Sequence, residues 1–345
     1  MTRPAFSLRV NNDLSPGQLI DMAVAAEHAG IDQLWVSNDL MMRSAPVLLG
    51  AIAMRTSTIK LGIGIMNPYS VHPSELAMTA ATLQEVTGGR FLLGLGAGAG
   101  DFLSWIGIDQ KLPLTKTREA LRAIRALLAG AKPSQTEGAG TAWTDDAYLR
   151  LEPTPVPIYI GAMSPKMLAF AGAEADGVLA LLFPPEHYTT ASGLVAEGAE
   201  AAGRAVSDLD MPACVWLALD EDQGQADRAL ALKLAYYGGA FSPYLLSRAG
   251  LAPEDFAESE AALRAGDEAA AVAAITPAML RLGISGNPQS VVDRCDEVMA
   301  LGASHLSFGP PLGPDPVAAI ELLGREVLPQ LRQRHAARAG SSHPT

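Results

Sequence analysis

Cysteine is almost absent: Cys214 and Cys295 are the only two in 345 residues, far apart and in no metal or CxxC spacing. That excludes a disulfide framework and a zinc site of ordinary spacing. Cations are scarce as well. Twenty-five Lys and Arg against 37 Asp and Glu leave a formal charge of −12, and nucleic acid or an anionic membrane would need a basic footprint that this balance does not supply. An anionic ligand would need a local patch of cations. No apolar stretch approaches the roughly 18 residues of a membrane span. The first residues, Met1-Thr2-Arg3-Pro4, lead into a short strand and not into the apolar region of a secretory signal. The chain reads as soluble and cytoplasmic. Hydrolytic signatures are also missing, with no G-x-S-x-G elbow, no H-E-x-x-H, no P-loop and six scattered histidines. Without a nucleophile, metal or phosphoryl-transfer loop, an enzyme built on this chain leaves its chemistry to a bound organic cofactor.

What is present supports a large core: 49% of residues are hydrophobic and 18% charged. The length suits two ordinary domains or one (β/α)8 barrel. Strand-like runs at 6–10, 33–36, 60–65, 91–95, 157–160, 177–182, 213–219 and 305–308 alternate with helical patterns, the signature of βα units around a parallel sheet. Eight is the barrel number, so the expected fold is an α/β (β/α)8 TIM barrel over residues 1–333, followed by a flexible polar tail at 334–345. Insertions at 129–150, after strand 4, and at 235–281, after strand 7, interrupt the alternation. In a barrel such segments decorate the face where loops follow strands and where the active site lies. Helix starts are legible at Ser15-Pro16-Gly17-Gln18, a capping-box pair, and at Ser164-Pro165-Lys166. Glycines at Ala29-Gly30, Gly88-Gly89, Asp176-Gly177 and Leu301-Gly302 suit helix exits.

Four segments carry the candidate site. The strand at 60–65 breaks over Gly64 to Asn67, and Asn67-Pro68 ends it, since proline cannot continue a central ladder; that is how a shelf for a ligand reads. Gly94-Leu95-Gly96-Ala97-Gly98-Ala99-Gly100-Asp101 meets a loose dinucleotide fingerprint but lacks the acidic residue about 20 positions on. It leaves two readings, a structural glycine loop or close backbone approach to a flat or anionic ligand. Ser37-Asn38-Asp39 ends the second strand as ligand contact or as solvated loop. Ile160-Gly161-Ala162-Met163-Ser164-Pro165-Lys166-Met167 turns a strand into a helix start whose free N–H groups and lysine could hold a phosphate, or is an ordinary βα turn. His72, beside Pro73, reads as the start of a helix.

Taken together, these segments resemble the luciferase-like superfamily and, within it, the coenzyme F420-dependent branch. The resemblance runs over nearly the whole chain: residues 25–36, Asn67-Pro68-Tyr69 with His72-Pro73, Gly88-Gly89-Arg90 to Gly98, Ala171-Gly172 with Ala175-Asp176-Gly177, and, most specific, Gly309-Pro310-Pro311-Leu312-Gly313-Pro314-Asp315. These look like the methylenetetrahydromethanopterin reductases. The resemblance implies a barrel of the bacterial luciferase-like type and a reduced 5-deazaflavin lying against the third strand, donating hydride to an electrophilic carbon. It implies a non-prolyl cis bond at Gly64-Ile65 behind the ring and cofactor contacts at Asp39, Asn67, Ala97 and Gly98. The phospholactyl group would sit on Met163, Ser164, Lys166 and Met167. A homodimer is the branch's common assembly.

Departures from the branch bear on the substrate. The sugar-phosphate dehydrogenases carry histidine after the Asp39 position and glutamate at the Ala99 position, so Leu40 and Ala99 remove that acid and base. The pterin reductases carry glutamate where this chain has Arg9 and an acidic residue where it has Ala99; Asp101 is the available substitute. A guanidinium at Arg9 suits a carboxylate or a developing anion by its bidentate geometry. Arg9 and Asp101 are therefore the candidate catalytic residues. The expected activity is hydride transfer from reduced F420 to a C=N or activated C=C bond of a small molecule, with a methylenetetrahydropterin as the specific case. An FMN-dependent monooxygenase and a non-catalytic deazaflavin-binding protein are the alternatives.

Overall fold

A computed structural model describes residues 3–140 and 142–341. Its strands are β1 (Ala5–Val10), β2 (Gln33–Val36), β3 (Lys60–Met66), β4 (Phe91–Leu95), β5 (Ile158–Gly161), β6 (Gly177–Leu181), β7 (Ala213–Leu219), β8 (Ile284–Gly286) and β9 (His305–Leu312). All pair in parallel, in the order β6-β5-β4-β3-β2-β1-β9-β7-β8, and the β6–β7 pairing closes eight of them into a barrel. These eight are the strands read from the sequence. The ninth, β8, pairs only with residues 217–219 of β7; three residues ending in glycine carry too little pattern to be seen in advance.

The helices are α1 (Pro16–His28), α2 (Ala45–Ala53), α3 (Pro73–Val86), α4 (Gly100–Trp105), α5 (Pro113–Leu128), α6 (Pro165–Glu174), α7 (Tyr188–Ala201), α8 (Gln223–Tyr237), α9 (Pro243–Ser247), α10 (Ala257–Arg264), α11 (Glu268–Ala273), α12 (Pro277–Leu280), α13 (Pro288–Ala300), α14 (Pro316–Leu322) and α15 (Leu328–Ser341). Ser15 closes the expected capping box with Gln18, and His72 caps α3 by accepting from Ser74 N–H. Ser164 departs from expectation: it occupies the cap of α6 without a side-chain cap bond. Gly177 departs too, since it lies inside β6 while Gly30, Gly88, Gly89 and Gly302 take the left-handed conformation.

Strands buried on both faces explain the near-continuous apolar runs of β4 and β7. Their outward side chains, such as Leu93 and Val215, join the helices in the main core, while Trp35, Leu92, Tyr159, Leu179 and Cys214 fill the barrel. Large interior groups sit opposite glycines. A Cβ on Gly62 would fall 2.2 Å from the Trp35 ring, and one on Gly177 2.2 Å from Tyr159, so an alanine at either would overpack the barrel by about 1–3 kcal/mol. The floor is a polar network in which Asp210 accepts from His305 Nδ1 at 2.7 Å, Tyr159 OH at 2.7 Å and Gln33 Nε2 at 3.1 Å, and His305 Nε2 pairs with Ser7 Oγ at 3.0 Å. Fully paired, such a network fixes one arrangement of the interior.

The segment at 129–150 begins and returns at the strand-start face, where Thr154 N–H donates to Leu128 O, but climbs far enough to set Trp143 against His72 at 5.0 Å. The second insertion forms α9 to α12 and, with α8, a core of its own around Phe183, Trp216, Leu230, Leu234 and Phe256. The tail differs from expectation over 334–341, which continue α15, with Arg334 paired to Asp293 and Arg338 to Asp296 on α13. Opposite charges on a facing helix give those residues a partner that their composition does not reveal. Residues 342–345 of the expected tail lie outside the described residues.

Candidate active site

The break foreseen in β3 is present, and its cause is visible in the neighbouring strands. Gly64-Ile65 is a cis peptide, and the β3–β4 register shifts between Ile63 and Met66. The side chain of Ile65 turns into a groove made by three glycines. A Cβ on Gly94 would lie 3.1 Å from Ile65 Cγ2, one on Gly96 3.2 Å from Cδ1, and one on Gly161 3.1 Å from Cγ2. Gly94 is the most constrained, since its Cβ would meet Ile63 O at 2.1 Å. Gly94, within β4, and Gly96, just after it, therefore serve first to seat Ile65. Ile65 leans on the Trp35–Tyr159 layer beneath and presents an apolar ledge at the strand ends.

A cavity of about 110 Å³, partly open to solvent, lies over this ledge, bordered by Asn38, Asp39, Gly64, Ile65, Asn67 and Gly98, with Phe102 and Leu103 of α4 on the far side. Asn67 Oδ1 accepts from Tyr69 N–H, Ser70 N–H and Ser70 Oγ, a turn that ends the strand. Its Nδ2 has no partner among the described residues, so the amide's N–H donors are left for a ligand. Gly98 takes φ +76° against the Asn67 side chain, where a Cβ would stand 3.2 Å from Asn67 Cβ. Asp39 is half-buried; burial pushes its carboxyl up, the Ser37 hydroxyl pulls it down, Asp13 adds to the rise and Lys233 opposes it.

Two residues that sequence reading missed hold these loops. Asn12, fully buried, donates Nδ2 to the carbonyls of Asp39 and Arg43 and accepts at Oδ1 from Ser37 Oγ and Asp39 N–H. Gln110 donates Nε2 to Ala97 O at 2.8 Å and Gly98 O at 2.9 Å. Both act across long sequence separations, so no local pattern marks them. Asn after the first strand was the available signal for Asn12.

The structure brings Asp39, Gly64, Ile65, Asn67 and Gly98 to one wall and sets Ala97 beside it under Gln110. Met163, Ser164, Lys166 and Met167 lie outside this wall, at the end of β5, joined to it through Gly161 and Ile65. Met163, Ser164 and Lys166 are exposed and Met167 is buried. The N–H of Met167 is used by Ser164 O, whereas among the described residues those of Ser164 and Lys166 and the Ser164 hydroxyl have no partner. Neither candidate catalytic residue lines the cavity. Asp101 is exposed in the first turn of α4, next to Phe102. Arg9 is half-buried inside the barrel, where Nη2 donates to Val215 O at 2.7 Å and Nε is sealed without a partner. Burial holds its guanidinium below the ordinary arginine range, and nearby Cys214 acts in the other direction.

A larger cavity, about 610 Å³, opens at the opposite face between Arg3, Glu27, Asp32, Lys60 and Asp210. Its Arg3–Asp32 ion pair and the Asp210 network already satisfy each other, and that face of a barrel serves stability. No cluster of three His, Cys, Asp or Glu that could hold a metal occurs among the described residues. No described helix is long and apolar enough to cross a membrane.

The family model for luciferase-like monooxygenases matches residues 3–305. The chain is 33% identical to the 5,10-methylenetetrahydromethanopterin reductase of Archaeoglobus fulgidus over 332 residues, covering 95% of this chain and 99% of that protein. It is 31% identical to the F420-dependent glucose-6-phosphate dehydrogenase of Nakamurella multipartita, over 92% of this chain and 93% of that one. Among solved structures, the coenzyme F420-dependent tetrahydromethanopterin reductase of Methanopyrus kandleri superposes with a TM-score of 0.86 at 30% identity, over 96% of this chain and all of that chain.

Proposed function

Given that the chain belongs to the luciferase-like monooxygenase family, we propose that it is an oxidoreductase that uses reduced coenzyme F420 and, as its specific case, reduces a methylenetetrahydropterin. The observation that carries the reading is the Ile65 ledge, seated in its glycine groove beneath the cavity bordered by Asp39, Asn67 and Gly98. These residues fit a flat deazaflavin. Ile65 offers an apolar face, Asn67 Nδ2 an unused donor, and the start of α6 adds unbonded N–H groups, the Ser164 hydroxyl and the Lys166 ammonium for an anionic tail.

Bound reduced F420 supplies a hydride to an electron-poor carbon, so the protein's own task is positioning and solvent exclusion. Ile65 and Gly64 back the ring site, and Asp39, Asn67, Ala97 and Gly98 border it. Phe102 and Leu103 close the far side and keep water off the acceptor. Arg9, charged and tied to main-chain carbonyls, stabilises negative charge at the floor. Where the acceptor needs a proton, solvent supplies it, with Asp101 at the start of α4 as the relay.

A second copy of the chain is the proposed partner. Val47 on α2, Met54 at its C-terminal cap and Met78 on the adjacent α3 are exposed apolar side chains.

Fluorescence titration of the apo-protein with F420, FMN and NADPH tests the cofactor, and tighter binding of FMN or NADPH than of F420 overturns the reading. Oxidation of reduced F420 with a methylenetetrahydropterin, set against other imines and activated alkenes, then tests the substrate.

A further inference from the structure

We infer that Lys233, on α8, recognises a carboxylate on the acceptor; the inference rests on the cleft being the reaction site proposed above. The Lys233 ammonium stands over the Tyr237 ring at 4.1 Å and near the Trp216 ring at 5.5 Å. It is half-buried, and among the described residues no hydrogen-bond acceptor or ion-pair partner reaches it. Burial holds its pKa below the ordinary lysine range, and Asp13 and Asp39 oppose this only from a distance. A desolvated ammonium with three unused donors gains most from an anion placed against it.

The position of Lys233 ties it to the cleft. Asp39 borders the cavity over Ile65 and feels the Lys233 charge, and Lys233 feels that of Asp39. Below Lys233 the wall is aromatic: Trp216 is packed by Phe183 at 4.9 Å and Phe241 at 5.3 Å, while Tyr237 is 48% exposed. Trp216 pairs in register with Gly309, and a Cβ on Gly309 would lie 2.5 Å from Arg9 Nη2. The β7–β9 side of the mouth thus carries Arg9 at its floor, aromatic rings above and Lys233 at the top. In a chain of net charge −12, Arg9 and Lys233 have no ion-pair partner among the described residues, and the carboxylates of Asp13 and Asp39 act on Lys233 only from beyond contact. A carboxylate brought to this wall meets the Lys233 ammonium beside the Trp216 and Tyr237 rings.

The test uses 2-naphthoate and 2-naphthamide, which share a ring and differ in charge, measured by calorimetry on the F420-loaded protein and on the apo-protein. The acid is expected to bind at least tenfold more tightly than the amide. Lys233→Met should abolish that preference, and Lys233→Arg should retain it. The affinity for F420 should stay within twofold in both variants, which also reports that the fold is intact. Equal binding of the two probes, no binding of either, or loss of F420 affinity in Lys233→Met to the same degree overturns the inference. Failure of the wild-type protein to bind F420 overturns the cofactor reading alone, since the probe preference of the apo-protein still decides the role of Lys233.

Discussion

Ile65 stands where a side chain on Gly96 would have to go: a Cβ at Gly96 would lie 3.2 Å from Ile65 Cδ1 and 3.3 Å from Gly161 O. Gly96→Ala therefore displaces the ledge by a few tenths of an ångström without breaking the barrel. F420 affinity is expected to fall about tenfold, a change of ~1.4 kcal/mol, with the urea midpoint nearly unchanged. Gly94→Ala meets the carbonyl of Ile63 at 2.1 Å and should lower stability by about 1–3 kcal/mol. Unaltered F420 binding in a folded Gly96→Ala protein would remove the ledge from the cofactor site.

Asn67 separates a structural task from a binding one. Its Oδ1 serves the turn to Tyr69 and Ser70, while Nδ2 has no partner among the described residues. Asn67→Asp keeps the acceptor and replaces the donor, so it should weaken F420 roughly tenfold at little cost in stability. Asn67→Ala loses both and should also cost about 1–2 kcal/mol in denaturant unfolding. Equal affinities in Asn67→Asp and the parent protein would place the Asn67 amide outside the cofactor contacts.

The barrel was legible because buried parallel strands are continuous apolar runs separated by helical periods, and all eight were visible on that ground. The Gly64-to-Asn67 break was legible for a local reason, two glycines followed by Asn-Pro. What could not be read is non-local. Asn12 holds Asp39 across 27 residues, and Gln110 reaches back to Ala97 across 13. Lys233 belongs to a helix whose sequence looks like any amphipathic surface helix, and only the fold sets it opposite Asp39. The glycine loop misled in part: its spacing suggested ligand approach, whereas Gly94 and Gly96 make room for a neighbouring side chain.

Glu27 couples stability to pH. Burial alone would raise its carboxyl, but the N–H groups of Ile59, Thr58 and Ser57 outweigh this and hold it at about 2, below an ordinary 4.5. A depressed carboxylate stabilises the fold above its unfolded value, and the contribution fades as pH falls through the folded one. Glu27→Gln should cost roughly 1 kcal/mol at neutral pH, allowing for solvent screening at this partly exposed site. The gap to the parent protein in urea unfolding should narrow from about pH 4.5 downward and close near 2. A gap independent of pH would mean that packing, and not the charge, is what Glu27 contributes.

Lys166 tests the placement of the anionic tail. It is exposed at the start of α6 and has no ion-pair partner among the described residues, where Ser164 beside it makes no cap bond and its hydroxyl has no partner either. A point charge of this kind contributes through solvent, so its effect on a bound phosphate must depend on salt. Lys166→Ala should weaken F420 about five- to tenfold in dilute buffer. The difference should largely vanish near 1 M salt, where the screening length is ~3 Å. The KM for the acceptor should be unchanged, because the acceptor is assigned to the Lys233 side of the mouth. Equal losses for cofactor and acceptor would move the anion site away from α6, whereas a salt-independent loss would point to packing by the lysine stem.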